Sequence, residues 1–263
     1  MSPDLPPDAP QDLAPAPEAP APAPPTPAEA PAREVYPFWN YLDLAAFLVI
    51  AFLALAVDVA AAAVIARLTH IRPLIVELPA QFIFYGFVLS VLALIFRRYY
   101  ERPFWQSLRW VPSGVSTGVL ASYGALLALV VMVSGAVLQT PDINSPMKQL
   151  LSDPAAVVLL AIFGTTLAPL CEELLFRGFL QPLLVRSFGA AAGILLAALA
   201  FGTLHLQEYG NSWRHGLLIT MAGAAFGWVR HRTGSTKASV VMHATYNGVF
   251  FLALAAQKLA PAR

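Results

Sequence analysis

The sequence predicts an all-α protein, a polytopic bundle of about seven transmembrane helices behind a disordered tail, and three observations predict it. Of 263 residues, 58% are hydrophobic and only 12% are charged, too little charge to cover a water-soluble domain of this size. The apolar residues come in blocks long enough to cross a bilayer at 1.5 Å per residue. Ahead of them, residues 1–36 alternate proline with alanine, a composition that buries too little apolar surface to fold. A net charge of +1, with no basic run, gives no reason to expect a nucleic-acid partner. The single cysteine, Cys171, excludes an internal disulfide framework. Its two acidic neighbours disfavour a thiolate, so it reads as a small buried hydrophobe rather than a nucleophile.

The elements follow in order. Residues 1–34 hold six acids against one base, Arg33, and read as a solvated spacer. Tyr36-Pro-Phe-Trp-Asn-Tyr41 is an aromatic cluster of the kind found at headgroup level, leading into a first span at about 41–66. Asp58 lies well inside that span and reads as a structural polar contact. A short loop carrying Arg67, His70 and Arg72 precedes a second span at about 80–96. The mixed basic and aromatic run from Arg97 to Trp110 reads as an interfacial segment, followed by a third span at about 115–138. Ser152-Asp-Pro154 supplies a capping oxygen and an early proline for the next helix.

The fourth apolar run, about 155–186, is too long for one untilted crossing. Pro169 and Pro182 each remove a backbone donor, so bends are expected at both. Spans five, six and seven fall at about 189–206, 214–231 and 238–256, the sixth carrying the small-residue pattern Gly223-Ala-Ala-Phe-Gly227. With seven crossings, ten Lys and Arg lie on the side of the tail (33, 97, 98, 102, 109, 177, 186, 230, 232, 237) and six on the other (67, 72, 148, 214, 258, 263). That bias puts the N-terminus in the cytoplasm. Among the remaining histidines, His215 and His231 read as interfacial and His70 as a loop residue.

Three polar constellations interrupt the last apolar regions, where an ionisable group is expensive and therefore a candidate for function. In Glu172-Glu173-x-x-x-Arg177, residues 173 and 177 share a helix face and are placed to pair, whereas Glu172 points about 100° away. One carboxylate is then neutralised and the other left free to take a proton from water. The second constellation is Phe201-x-x-x-His205. If helices four and five form a hairpin, the midpoint of 172 and 205 falls between Phe188 and Gly189, so Glu172 and His205 meet. The third is His243-x-x-x-Asn247, two polar side chains on one helix face. Counting 1.5 Å per residue puts His243 about 8 Å below the cytoplasmic surface. Glu172 reaches the same level if the hairpin projects towards the cytosol. A carboxylate, two imidazoles and an amide at one depth suffice for amide hydrolysis: Glu172 and His205 activate water, while His243 and Asn247 donate to the oxyanion.

These three motifs, in this order, resemble those of the CPBP family of intramembrane proteases, named for CAAX processing and bacteriocin processing and also called the Abi family or type II CAAX prenyl endopeptidases. The matching residues are Glu172, Glu173 and Arg177, then Phe201 and His205, then His243 and Asn247. The resemblance implies the same assignment of Glu172, His205, His243 and Asn247 to catalysis, with Glu173, Arg177 and Phe201 in structural support. It implies a glutamate-dependent mechanism without a metal. The alternative is zinc held by Glu172, His205 and His243, one carboxylate and two imidazoles with an open position, although no His-Glu-x-x-His is present. The chain is accordingly divided into a cytoplasmic tail (1–36), an N-terminal membrane region (37–149), a protease core (150–256) and a short C-terminal tail (257–263). The expected partners are the bilayer and a membrane-associated protein or peptide substrate, in a bacterial cytoplasmic membrane. Two other classes compete: a non-proteolytic scaffold or immunity-type factor on the same fold, and a proton-coupled transporter. A scaffold has no need of all four catalytic residues, and no internal repeat of the transporter kind is visible.

Overall fold

A computed structural model describes residues 35–259, all of whose regular elements are helical. The Pro/Ala segment up to residue 34 and the last four residues lie outside the described residues, and with them nearly all of the predicted tail and part of the short C-terminal one.

Helix α1 (Tyr41–Thr69) starts where Asn40 and Asp43 form a reciprocal capping box. It ends at His70, which takes the left-handed conformation (φ 55°). Helix α2 (Pro73–Tyr99) returns alongside it. The run read as interfacial contains a four-residue helix, α3 (Phe104–Ser107), and is folded onto the bundle rather than lying apart from it. Leu108 is fully buried and its carbonyl accepts from Thr236 Oγ1 at 2.6 Å. Helix α4 (Thr117–Val137) is capped by Ser116 and packs tightly on α10 (Thr236–Leu259), where a Cβ on Gly124 would sit 2.3 Å from the Met242 carbonyl oxygen.

The fourth apolar run is not one span. Ser145 caps α5 (Pro146–Ser152), and α6 (Pro154–Thr165) leaves it at 116°. Thr166 then breaks the chain (φ −126°, ψ −82°), three residues before Pro169, and α7 (Leu167–Glu173) follows. Seven π-helical residues, Leu174–Leu180, lead into α8 (Gln181–Leu204). Because Pro182 has no N–H to give, the regular ladder cannot run through this junction.

Residues 167–204 are apolar enough overall to score as a span, but they form a hairpin. Gly189 has φ 79° and ψ 170°, a conformation open to glycine. A Cβ on Gly193 would lie 2.6 Å from Val185 Cα, whereas eight residues of straight helix span about 12 Å. The rings of Phe176 and Phe201 accordingly meet at 5.1 Å. A 3-10 turn, Gln207–Tyr209, connects the hairpin to α9 (Trp213–Thr233).

Among the described residues, five stretches are long and apolar enough to cross a membrane, or six if α5 and α6 count as one bent span. The expected count of seven is not confirmed. The sixth expected span, α9, is diluted by Arg214, His215, Arg230, His231 and Arg232 and is not among the five, and expected spans four and five share the hairpin. The protein is nonetheless an integral membrane protein. Helix α1 exposes most of its apolar side chains, including Leu53 and Phe52, as a lipid-facing helix does. Asp58 differs from expectation too: it is half-buried on α1 and has no hydrogen bond or ion pair among the described residues.

Two packing centres fix the hairpin. Trp39 is fully buried, stacks on Phe179 at 5.5 Å and donates Nε1–H to the Phe179 carbonyl at 3.1 Å. Arg186 donates to the Pro37 and Trp39 carbonyls, so the segment before α1 grips the hairpin near its tip. On the other side, glycines let α9 approach. Arg177 donates to the Gly223 carbonyl at 2.8 Å, and Gln181, one turn on, donates to that of Gly227 at 2.9 Å. A Cβ on Gly202 would fall 2.1 Å from Thr220 Oγ1 and 2.8 Å from the Gly216 carbonyl oxygen. We expect Gly202→Ala to lower the thermal midpoint in detergent, at a cost of about 1–3 kcal/mol, because backbone on the facing helix blocks the methyl. An unchanged midpoint would show that this seam is loose.

Glu173 and Arg177 have no exposed side-chain surface and pair at 2.9 Å. Removing either partner leaves a buried charge uncompensated, which costs about 3–5 kcal/mol. Glu173→Gln and Arg177→Ala should each reduce the yield of monodisperse protein in size-exclusion chromatography. Normal yields for both would remove the pair from its structural role.

Candidate functional site

Adjacent carboxylates diverge here because consecutive helical residues point about 100° apart. Glu173 is saturated. Its Oε1 accepts from Arg177 Nη1 and from His243 Nδ1, each at 2.9 Å, and its Oε2 accepts from Ser239 Oγ. Glu172 keeps 12% of its side chain exposed and faces two imidazoles. His205 Nε2 lies 4.0 Å from Glu172 Oε1, and His243 Nε2 lies 3.8 Å from Oε2. These separations exceed hydrogen-bond length. The three groups therefore surround a common position rather than bonding to one another.

The far side of each ring is fixed. His205 Nδ1 is 2.8 Å from the Phe201 carbonyl oxygen, an atom that only accepts, so this nitrogen carries the hydrogen. Glu173 imposes the same orientation on His243. In a neutral imidazole the other nitrogen is then a bare lone pair, so both histidines turn acceptors towards Glu172. The rings are also clamped. Phe201 packs on His205 with centroids 4.4 Å apart, and Phe226 stacks on His243 at 4.4 Å and 21°. Phe201 in addition carries the Arg177 guanidinium over its face at 4.5 Å. This contact matters because Arg177 Nε has no hydrogen-bond acceptor.

Of the residues singled out in the sequence, Glu172, His205 and His243 come together, while Glu173, Arg177 and Phe201 form the layer behind them. Asn247 stands one turn beyond His243 on α10 and donates Nδ2–H to the Gly164 carbonyl at 2.7 Å, which leaves its second amide hydrogen uncommitted. Cys171 is buried. His231 and His70 are exposed, and His215 stacks on Tyr209 at 5.1 Å with Nδ1 buried and unpaired. No group of three or more His, Cys, Asp or Glu among the described residues is placed to hold a metal ion. Glu172, His205 and His243 offer zinc suitable donor types, and the mechanism proposed for them uses no metal.

Sequence reasoning missed three contributors. Ser239 lies one turn before His243, and extending the His243–Asn247 face backwards along the helix would have found it. Tyr85 on α2 donates its hydroxyl to Glu172 Oε1 at 3.3 Å, and no local signal connects residues 87 apart. Glu208, in the turn after α8, lies within electrostatic reach of His205 and Glu172. Burial raises its carboxyl above the usual carboxylate range, and His205 offsets part of that rise.

Comparison with known proteins adds one match. Residues 154–249 fit the family model of the Rce1-like type II CAAX prenyl endopeptidases. No curated protein and no solved structure matches the chain. The matched segment runs from the start of α6 to just past Asn247 and so contains all seven motif residues. Residues 154–249 are therefore similar to the Rce1-like type II CAAX prenyl endopeptidases, which supports the resemblance to the CPBP family read from the three motifs.

Proposed function

We propose that the protein is an intramembrane endopeptidase that hydrolyses peptide bonds of membrane-associated proteins or peptides, with Glu172 as the general base. The carrying observation is the convergence of Glu172 with two imidazoles whose far nitrogens are already engaged. A water held among these three groups donates one hydrogen to His205 Nε2 and the other to Glu172. Glu172 takes its proton as the oxygen attacks the carbonyl carbon. The oxyanion that forms accepts the free amide hydrogen of Asn247. It also accepts from His243 Nε2 when that nitrogen carries a hydrogen. Glu172 then returns its proton to the departing amine, leaving a carboxylic acid and an amine as products.

The basic residues support a site near the cytoplasmic face. Arg97, Arg98, Arg102, Arg109, Arg186, Arg230, Arg232 and Lys237 cluster at the end of the bundle where Tyr36 and Trp39 bind the loops. Arg67, Arg72, Lys148 and Arg214 lie at the other end. An excess of this kind marks the cytoplasmic side. His243 is seven residues into α10 from the basic end, about 10 Å deep at 1.5 Å per residue.

The test is cleavage by detergent-purified protein of a pool of peptides taken from membrane-protein C-termini. Glu172→Ala and His205→Ala should each lose at least about 10²–10⁴-fold in kcat/KM. Asn247→Ala should lose about 10²–10³-fold, and a zinc chelator should leave the wild type unchanged. Cleavage that persists in Glu172→Ala would overturn the assignment. Loss with chelator and recovery with zinc would instead make the same residues ligands.

A further inference from the structure

We infer that Tyr85 is a positioning residue for Glu172, supplied to the site by α2 from outside the family-matched segment; this inference rests on the peptidase reading above. Among the described residues, Tyr85 is the one group that donates a hydrogen bond to Glu172. The other polar groups around this carboxylate do not serve. His205 from α8 and His243 from α10 present Nε2 lone pairs in their neutral forms. Arg177 is committed to Glu173 and Gly223. Cys171 and Glu173 sit beside Glu172 on its own helix, while Glu208 and Tyr209 face it from the turn after α8. A carboxylate in that setting needs a donor to fix the direction of its lone pairs. Tyr85 binds Oε1, the oxygen nearer His205, and Oε2 is left on the His243 side.

The phenol is itself held in place. Its ring lies nearly parallel to Phe163 of α6, with centroids 6.2 Å apart, and rests against Phe84 at 5.8 Å. One turn earlier Phe82 packs on the same Phe163 at 4.6 Å. At the helix start an Arg72–Asp153 ion pair ties α2 to the beginning of α6. Helix α2 is thus fastened to α6 near its start and again around Phe163, with the hydroxyl at the inner end of the second contact. Near-attack geometry depends on the hydrogen bond from the Tyr85 hydroxyl itself, because a base free to turn spends less time aimed at its proton.

The experiment uses the full-length chain in detergent and compares wild type, Tyr85→Phe and Phe82→Leu. The first variant removes one hydroxyl and keeps the ring on Phe163. The second loosens the same helix contact without touching Glu172. In Tyr85→Phe, kcat should fall about tenfold with KM within about twofold, the size expected for losing a hydrogen bond to a charged group. Phe82→Leu should lower the thermal midpoint and leave kcat unchanged. A readout independent of turnover is the infrared carboxylate band of Glu172, isolated by subtracting the spectrum of Glu172→Gln. That band should shift in Tyr85→Phe and stay in place in Phe82→Leu. Unchanged kcat and an unmoved band in Tyr85→Phe, with wild-type cleavage intact, would overturn the inference and leave the peptidase reading standing. A shifted band in a protein that cleaves nothing would do the reverse.

Discussion

The buried pair of Glu173 and Arg177 is the constraint on which the rest of this bundle depends. Neither side chain reaches solvent, and a lone charge in that position is prohibitive in a low-dielectric interior. Their remaining valences must then be filled, and filling them brings the helices together. Arg177 reaches α9 through the Gly223 carbonyl, and Glu173 reaches α10 through Ser239 and His243. One ion pair thus sets the relation of the hairpin to α9 and α10. It also spares Glu172, because the positive charge of Arg177 is already engaged when the free carboxylate meets its histidines.

The N-terminal helices work on the outside of the same hairpin. Trp39 and Arg186 hold its tip, and the buried aromatic cluster of Trp39, Phe96 and Phe179 fills the space between α1, α2 and the first arm. Such packing accounts for a glycine turn that no long apolar helix would adopt alone. The glycines of α9 act at the opposite seam. Their missing side chains are occupied by the ends of Arg177 and Gln181, so a pattern that reads in sequence as simple close packing also admits a charged group to backbone carbonyls.

Much of this was legible in the sequence, for reasons of geometry. Helical spacing put Arg177 beside Glu173, and symmetry about a turn placed Gly189 at the tip and His205 opposite Glu172. What escaped was non-local or marginal. Tyr85 sits 87 residues from the carboxylate it binds, and nothing in its neighbourhood in the chain marks it. The count of seven spans is not confirmed, because hydropathy measures composition and not path: an apolar stretch that folds back on itself scores like one that crosses. In α9 the opposite holds, since its charges lower the score although the helix runs 21 residues. Asp58 had a plausible structural role in sequence, but α1 leaves most of its surface to lipid and offers the carboxylate no partner among the described residues.

The charges of the site can be counted through the proposed reaction. Glu173 and Arg177 cancel, which leaves Glu172 and two histidines. With Glu172 ionised and His243 protonated the remaining sum is zero, with His205 neutral to receive a hydrogen bond from water. Moving a proton from water to Glu172 creates a negative charge on the attacking oxygen and then on the oxyanion, beside the cation at His243. The total never changes, and charge moves only a few ångströms among these groups. A site of low dielectric favours such a rearrangement over any step that would strand a net charge. Fixed orientation is what makes the count hold: Phe201 fixes the far nitrogen of His205, which leaves Nε2 to accept from the water, and Glu173 fixes that of His243, which aims Nε2 at the developing oxyanion.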